Sequence, residues 1–112
     1  MKLHEIKQLT GAVFCGGAGR EDVEIRSAYA GDLMSDVLAK VWRQELLITG
    51  LSGPQTVHTA QVMEIGAILF VGGKTPDSTT TALADKYNIA ALSTAKGMFE
   101  VCALLYQSGV QA

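Results

Sequence analysis

The chain has no long apolar run, no basic cluster, and only two cysteines, two prolines and two histidines. Its apolar stretches are short, the longest comparable to Ala67 to Val71, whereas a membrane span needs about 20 such residues. No membrane association is expected. Nine Lys plus Arg stand against eleven Asp plus Glu, a net charge of -2, so little could neutralise a phosphate backbone and nucleic acid is not an expected partner. Cys15 and Cys102 lie far apart in apolar settings and read as reduced, buried core residues. His4 and His58 lack the close ligand spacing of a zinc site, so no metal is expected. The first residues, Met1 to Lys7, alternate charged with apolar side chains and lack the apolar core of a signal peptide, which predicts a cytoplasmic protein. No serine sits in a Gly-x-Ser-x-Gly elbow, and Asp32 with Asp36, four apart on one helix, are more simply a cap and a solvated carboxylate than an acid-base pair. Neither a catalytic residue nor a cofactor is expected.

What is present is core. Of the 112 residues 48% are hydrophobic and 18% charged, enough for a single domain over residues 1–112. Short β-like runs at Ala12 to Cys15, Val23 to Tyr29, Glu45 to Thr49, Ala67 to Val71 and Ala90 to Ser93 alternate with helix-period segments. That alternation predicts a three-layer α/β/α fold with a mostly parallel sheet of about five strands. A short helix spans Leu3 to Leu9 and stops at Gly11. A second starts with Asp32 as N-cap and carries Leu33, Met34, Val37, Leu38, Val41 and Trp42 on one face. Ser52 and Gln55 have capping-box spacing around Pro54, and Val57, Ala60 and Met63 or Glu64 mark successive turns of a third. A fourth starts at Thr75 and runs through Thr80, Leu83 and Tyr87. The last follows Ser93-Thr94, carries Met98, Phe99, Val101, Cys102, Leu104 and Leu105, and stops at Gly109.

The stretch Gly72-Gly73-Lys74-Thr75 resembles a phosphate-binding loop by composition. A P-loop needs a further glycine five residues before Gly73, and that position is Ile68, inside a strand. Pro76 also removes an N–H from the helix start that should hold phosphate. A tight strand-to-helix turn is the expected structure. Gly17-Ala18-Gly19 begins a dinucleotide pattern but has Asp22 where the third glycine belongs, and predicts a loop or hairpin. One positional pattern points to a site. Thr49-Gly50, Gly72-Gly73-Lys74 and Ser93-Thr94 all fall at C-terminal ends of predicted parallel strands, the edge where open α/β sheets bind ligands.

In their order, "AGDLMSDVLAKV", "LLITGL", "AILFVGGKTP" and "NIAALSTAKGMFEVCALLY" resemble a DRTGG domain in its small stand-alone form, over roughly Val23 to Gly109. The resemblance implies the fold of the N-terminal domain of HPr kinase/phosphorylase and a non-catalytic regulatory or interaction module, commonly a homodimer. Relatives accompany CBS domains in regulated pyrophosphatases, whose regulatory part binds adenine nucleotides. An adenine nucleotide or other small anionic ligand at Thr49, Gly50, Gly72, Gly73, Lys74, Ser93 and Thr94 is therefore one expectation. The other is a protein–protein adaptor, or an accessory subunit of a hydrogenase-like redox enzyme, with no small ligand. The family's charged pair falls on Gly50-Leu51, its motif threonine on Val71 and a further threonine on Met98, so three polar contacts of a ligand site are missing, which favours the interaction role. Trp42 or the Met98, Phe99 helix is the expected dimer contact.

Overall fold

The computed structural model describes residues 1–17, 19–40 and 44–112, with only the backbone of Lys40. Five helices, α1 (Leu3–Thr10), α2 (Met34–Lys40), α3 (Pro54–Val62), α4 (Ser78–Lys86) and α5 (Met98–Gln107), alternate with strands β1 (Val13–Gly16), β2 (Ala28–Ala30), β3 (Leu46–Thr49), β4 (Ala67–Phe70) and β5 (Ala90–Ser93). The strands form one sheet in the order β1-β5-β4-β3-β2, in which β2 to β5 are parallel and β1 is antiparallel to β5.

Period-two alternation explains the three layers. Leu46, Ile48, Ala67, Leu69, Ala90 and Leu92 pack with Leu3 and Ile6 of α1 and Val101 and Leu105 of α5. Their neighbours Leu47, Ile68, Phe70 and Ala91 pack with Val37 of α2, Val57 and Ala60 of α3 and Ala84 of α4. Strands buried on both faces read as continuous apolar runs, which is why β3, β4 and β5 were visible in sequence. Phe70 is the largest fully buried side chain among the described residues, worth about 1.5–3 kcal/mol by burial alone.

Several boundaries differ from expectation for local reasons. The predicted strand Val23 to Tyr29 contracts to Ala28–Ala30, because the preceding residues bond to the N-terminus instead: Leu3 N donates to Val23 O at 3.0 Å and Ile25 N to Met1 O at 2.7 Å. Helix α4 starts at Ser78 rather than Thr75, since Pro76 holds its predecessor extended and Asp77 takes the cap. The Ser52 capping box does not form, and Gly53 is the N-cap of α3. Asp32 does not serve as the expected N-cap of α2 but engages β3. Val41 and Trp42, predicted on α2, and Ala18 of the glycine loop lie outside the described residues. Cys15 and Cys102 are free but only half-buried, because neither faces the sheet's interior fully. Burial pushes both thiols above their usual range.

Four helices end alike. Gly11, Glu64, Asn88 and Gly109 all have positive φ, and the buried residue after each returns its N–H to a carbonyl five residues back, in the pairs Ala12 to Lys7, Ile65 to Ala60, Ile89 to Ala84 and Val110 to Leu105. This is the Schellman stop. Glu64 occupies it at φ 57, a left-handed backbone that costs an L-residue about 1–2 kcal/mol, so Glu64→Gly is expected to stabilise the domain by about 1 kcal/mol. A urea midpoint that stays fixed or falls would show that Glu64 is held by something other than backbone strain.

Candidate functional site

The C-terminal ends of β3, β4 and β5 are neighbours in the sheet, so the structure does bring the predicted residues to one edge. After β4 the chain passes to α4 on one face, and after β5 to α5 on the other. Two adjacent parallel strands whose helices leave to opposite faces open a crevice between their ends, the place where α/β sheets take ligands. In this domain that crevice runs between Gly72-Gly73-Lys74 and Ser93-Thr94.

It is closed by the protein's own hydrogen bonds. Gly72 and Gly73 turn at φ 72 and 76, a backbone open to glycine at no steric cost. Gly72 N donates to Lys96 O at 2.7 Å and Gly73 N to Thr94 O at 3.0 Å. The N–H groups that would hold a phosphate are thus spent on the exit of β5. Ser93 Oγ donates to Lys74 O at 2.7 Å. Thr94 Oγ1 donates to Thr10 O at 2.7 Å and accepts from Lys96 N at 3.2 Å, and its side chain is buried.

The β3 exit is closed in the same way by a carboxylate. Asp32 Oδ1 accepts from Thr49 Oγ1 at 3.0 Å and from Gly50 N at 2.7 Å, while Thr49 Oγ1 accepts from Leu51 N at 3.1 Å. At the α4 start Asp77 Oδ1 accepts from Thr80 N at 2.9 Å and Thr80 Oγ1 at 2.8 Å, and these bonds hold its carboxyl below the usual range. The β3 exit and the α4 N-terminus, two places where an anion could sit, therefore already hold carboxylates of the protein's own, whereas α3 and α5 start at Gly53 and Gly97 with no side-chain cap. Lys96 is paired with Glu100 at 3.6 Å. Of the predicted site residues Gly72, Gly73 and Lys74 stay exposed, and Lys74 has no ion pair among the described residues.

Asp32 was legible only as a cap, since nothing local in "AGDLM" says that its carboxylate reaches β3. His58 is exposed and meets Tyr87 edge-on, ring centroids 5.9 Å apart, and His4 faces Asp22 at 3.9 Å. No group of three or more His, Cys, Asp or Glu among the described residues could hold a metal ion, and no described helix is long and apolar enough to cross a membrane. Two surface features had no signal in sequence. An apolar groove of about 230 Å³ runs between β2 and α5, past Ile48, Cys102, Leu105 and Tyr106. A polar hollow of about 300 Å³ lies at the opposite end of the sheet between Glu64, Tyr87 and Asn88, with Arg20 packed on Gly66.

No protein-family model matches the sequence, and no curated protein matches it. The fold does have a solved counterpart, the CBS and DRTGG domains of the regulatory region of Clostridium perfringens pyrophosphatase, complexed with the activator diadenosine tetraphosphate. That structure is similar at a TM-score of 0.77 and 18% identity, over 97% of this chain and 47% of that one. The chain thus spans about half the length of its neighbour. At this identity the likeness is one of architecture, and it bears out the expected α/β layer: the chain has a DRTGG-like fold with a five-stranded, mostly parallel sheet.

Proposed function

We propose that this domain is a non-catalytic regulatory module that works by binding a partner protein, not a small ligand. The observation that carries the reading is the sealed crevice between β4 and β5. Its backbone donors and hydroxyls are committed to one another, and carboxylates already sit at the β3 exit and the α4 start. The structural neighbour is itself a regulatory region, which supports a regulatory role. Self-association belongs to the same reading. Phe99 is 89% exposed and Tyr106 69% exposed, seven residues apart on α5, an apolar face of the kind that marks an interface. Sedimentation across micromolar concentrations is expected to give a homodimer that Phe99→Asp converts to monomer; a monomer throughout would remove this part.

A second reading, an adenine-nucleotide sensor, is favoured by the exposed Lys74 in the β4–α4 turn and by the nucleotide activator in the neighbour's complex. Thermal unfolding against adenine mono-, di- and triphosphates and diadenosine polyphosphates separates the two. A ligand at about a hundred times its Kd would stabilise the fold by roughly 2.7 kcal/mol, a shift of several degrees in a domain this small. Partner binding predicts no shift. A shift that Lys74→Ala abolishes would overturn it and establish the sensor.

A further inference from the structure

We propose that Arg20 and the polar hollow beside it form a binding site for a carboxylate group. The site lies at the end of the sheet opposite the crevice and stands independently of the partner-binding reading. A free carboxylic acid and an acidic side chain of a partner present the same group, and the test tells the two apart.

The fold places an arginine here without giving it a counter-charge. A turn fixes its backbone: Arg20 O accepts from Val23 N at 3.1 Å, and the carbonyl of the next residue, Glu21, accepts from His4 N at 2.9 Å. The guanidinium then lies against Gly66, where an added Cβ would stand 2.7 Å from Nη2. Gly66 is not among the glycines with positive φ, so its missing side chain serves space rather than backbone conformation. Arg20 Nε is buried with no hydrogen-bond partner, and the side chain makes no hydrogen bond or ion pair among the described residues. Nearby carboxylates are engaged elsewhere, since Glu21 accepts from Gly19 N and Asp85 from Gly17 N. Glu64 lines the same hollow but forms no salt bridge with Arg20. Taking part of a cation out of water without a partner is costly, and an arriving anion offsets that cost.

The lining selects the anion. A planar guanidinium meets the two oxygens of a carboxylate, or two of a phosphate, with paired N–H donors. Gln61 and Asn88 add amide side chains to the wall, each both donor and acceptor. Helices α3 and α4 end at this hollow, with Met63 and Tyr87 as C-caps, and a helix C-terminus carries about half a negative charge. Glu64 adds a full one. A doubly charged phosphate therefore meets more repulsion here than a carboxylate, which carries a single charge. The volume of about 300 Å³ is at the lower end for small-ligand sites, and suits a short acid or one inserted side chain.

The test follows the Arg20 Nε–H signal in proton–nitrogen correlation spectra of the isotopically labelled chain. Sodium acetate, acetyl-Ala-Glu-Ala-amide and inorganic phosphate are each titrated at constant ionic strength. Acetate is expected to shift the signal saturably, with half-saturation at about 1–10 mM. Arg20→Lys keeps the charge but loses the paired donors, and should weaken binding about tenfold or more, read from the Gly66 and Asn88 amides. Gly66→Ala keeps the arginine but occupies its place, so the guanidinium swings aside and the same loss is expected; circular dichroism confirms that both variants are folded. Peptide binding as tight as that of acetate assigns the carboxylate to a partner's side chain, and acetate binding with the peptide shut out assigns it to a free acid; either result supports the site. No saturating shift below about 100 mM acetate, equal binding by Gly66→Ala and the unaltered chain, or tighter binding of phosphate than of acetate would overturn the proposal. Its failure leaves the partner-binding reading in place, since that rests on the crevice at the other end of the sheet.

Discussion

Replacing Gly17 with alanine is expected to cost on the order of 3–5 kcal/mol, a large share of the 5–15 kcal/mol that holds a typical domain together. Gly17 is buried at φ 64, and a Cβ there would sit 2.0 Å from Ile89 O and 2.7 Å from Ala90 Cα. Left-handed backbone costs an L-residue about 1–2 kcal/mol, and forcing extra volume into packed surroundings adds about 1–3 kcal/mol. The obstacle is backbone leading into β5, which cannot rotate away as a side chain could. Moving it also strains the bond from Gly17 N to Asp85 Oδ1, 2.6 Å long. Gly19→Ala is the internal control: φ is 97 but nothing lies within 4 Å of its Cβ position, so only the strain term applies. Urea unfolding of both variants checks the claim. A Gly17→Ala midpoint no lower than that of Gly19→Ala would mean that the close approach to Ile89 contributes nothing.

Thr94→Val is expected to cost about 2–3 kcal/mol although it preserves shape. Thr94 is 3% exposed, and its hydroxyl satisfies two groups at once, the Thr10 carbonyl and the Lys96 N–H. Valine leaves both without a partner, and each unsatisfied buried polar group costs about 1–3 kcal/mol, less where water can reach it. Thr94→Ser keeps the hydroxyl and should recover most of the loss. The crevice should respond as well: the amides of Gly72 and Gly73, bonded to Lys96 O and Thr94 O, should exchange faster in Thr94→Val. Unchanged exchange together with a loss under about 0.5 kcal/mol would show that the hydroxyl does not hold the seal.

These two sites mark what could and could not be read from the sequence. The strands β3, β4 and β5 were legible because burial on both faces leaves continuous apolar runs. The stops at Gly11 and Gly109 were legible because glycine is the usual residue of a left-handed cap. Glu64 and Asn88 adopt the same conformation without that signal, and the third helix was therefore carried too far. Thr49, Gly50, Gly72, Gly73, Ser93 and Thr94 do converge, yet their polar groups are turned inward on Asp32, Thr10, Lys74 and Lys96. Those partners are set by tertiary contact, which local sequence does not specify. The groove under α5 escaped notice for a related reason: it is assembled from β2, β3, α5 and the last residues, and no segment alone carries its shape.

The pairing of β1 with β5 also orders events in time. During synthesis β3, β4 and β5 can each dock beside the strand made just before, at small cost in loop closure. β1 and α1 are made first but have no sheet position until β5 exists, so Leu3 and Ile6 wait in water for a surface from the far end of the chain. Contacts so distant along the chain form slowly. The contact of Gly17 with Ile89 and the bond from Thr94 to Thr10 both belong to this closing step. Weakening either should release the domain by faster unfolding rather than slower folding, so the N-terminal segment behaves as the latch of the fold.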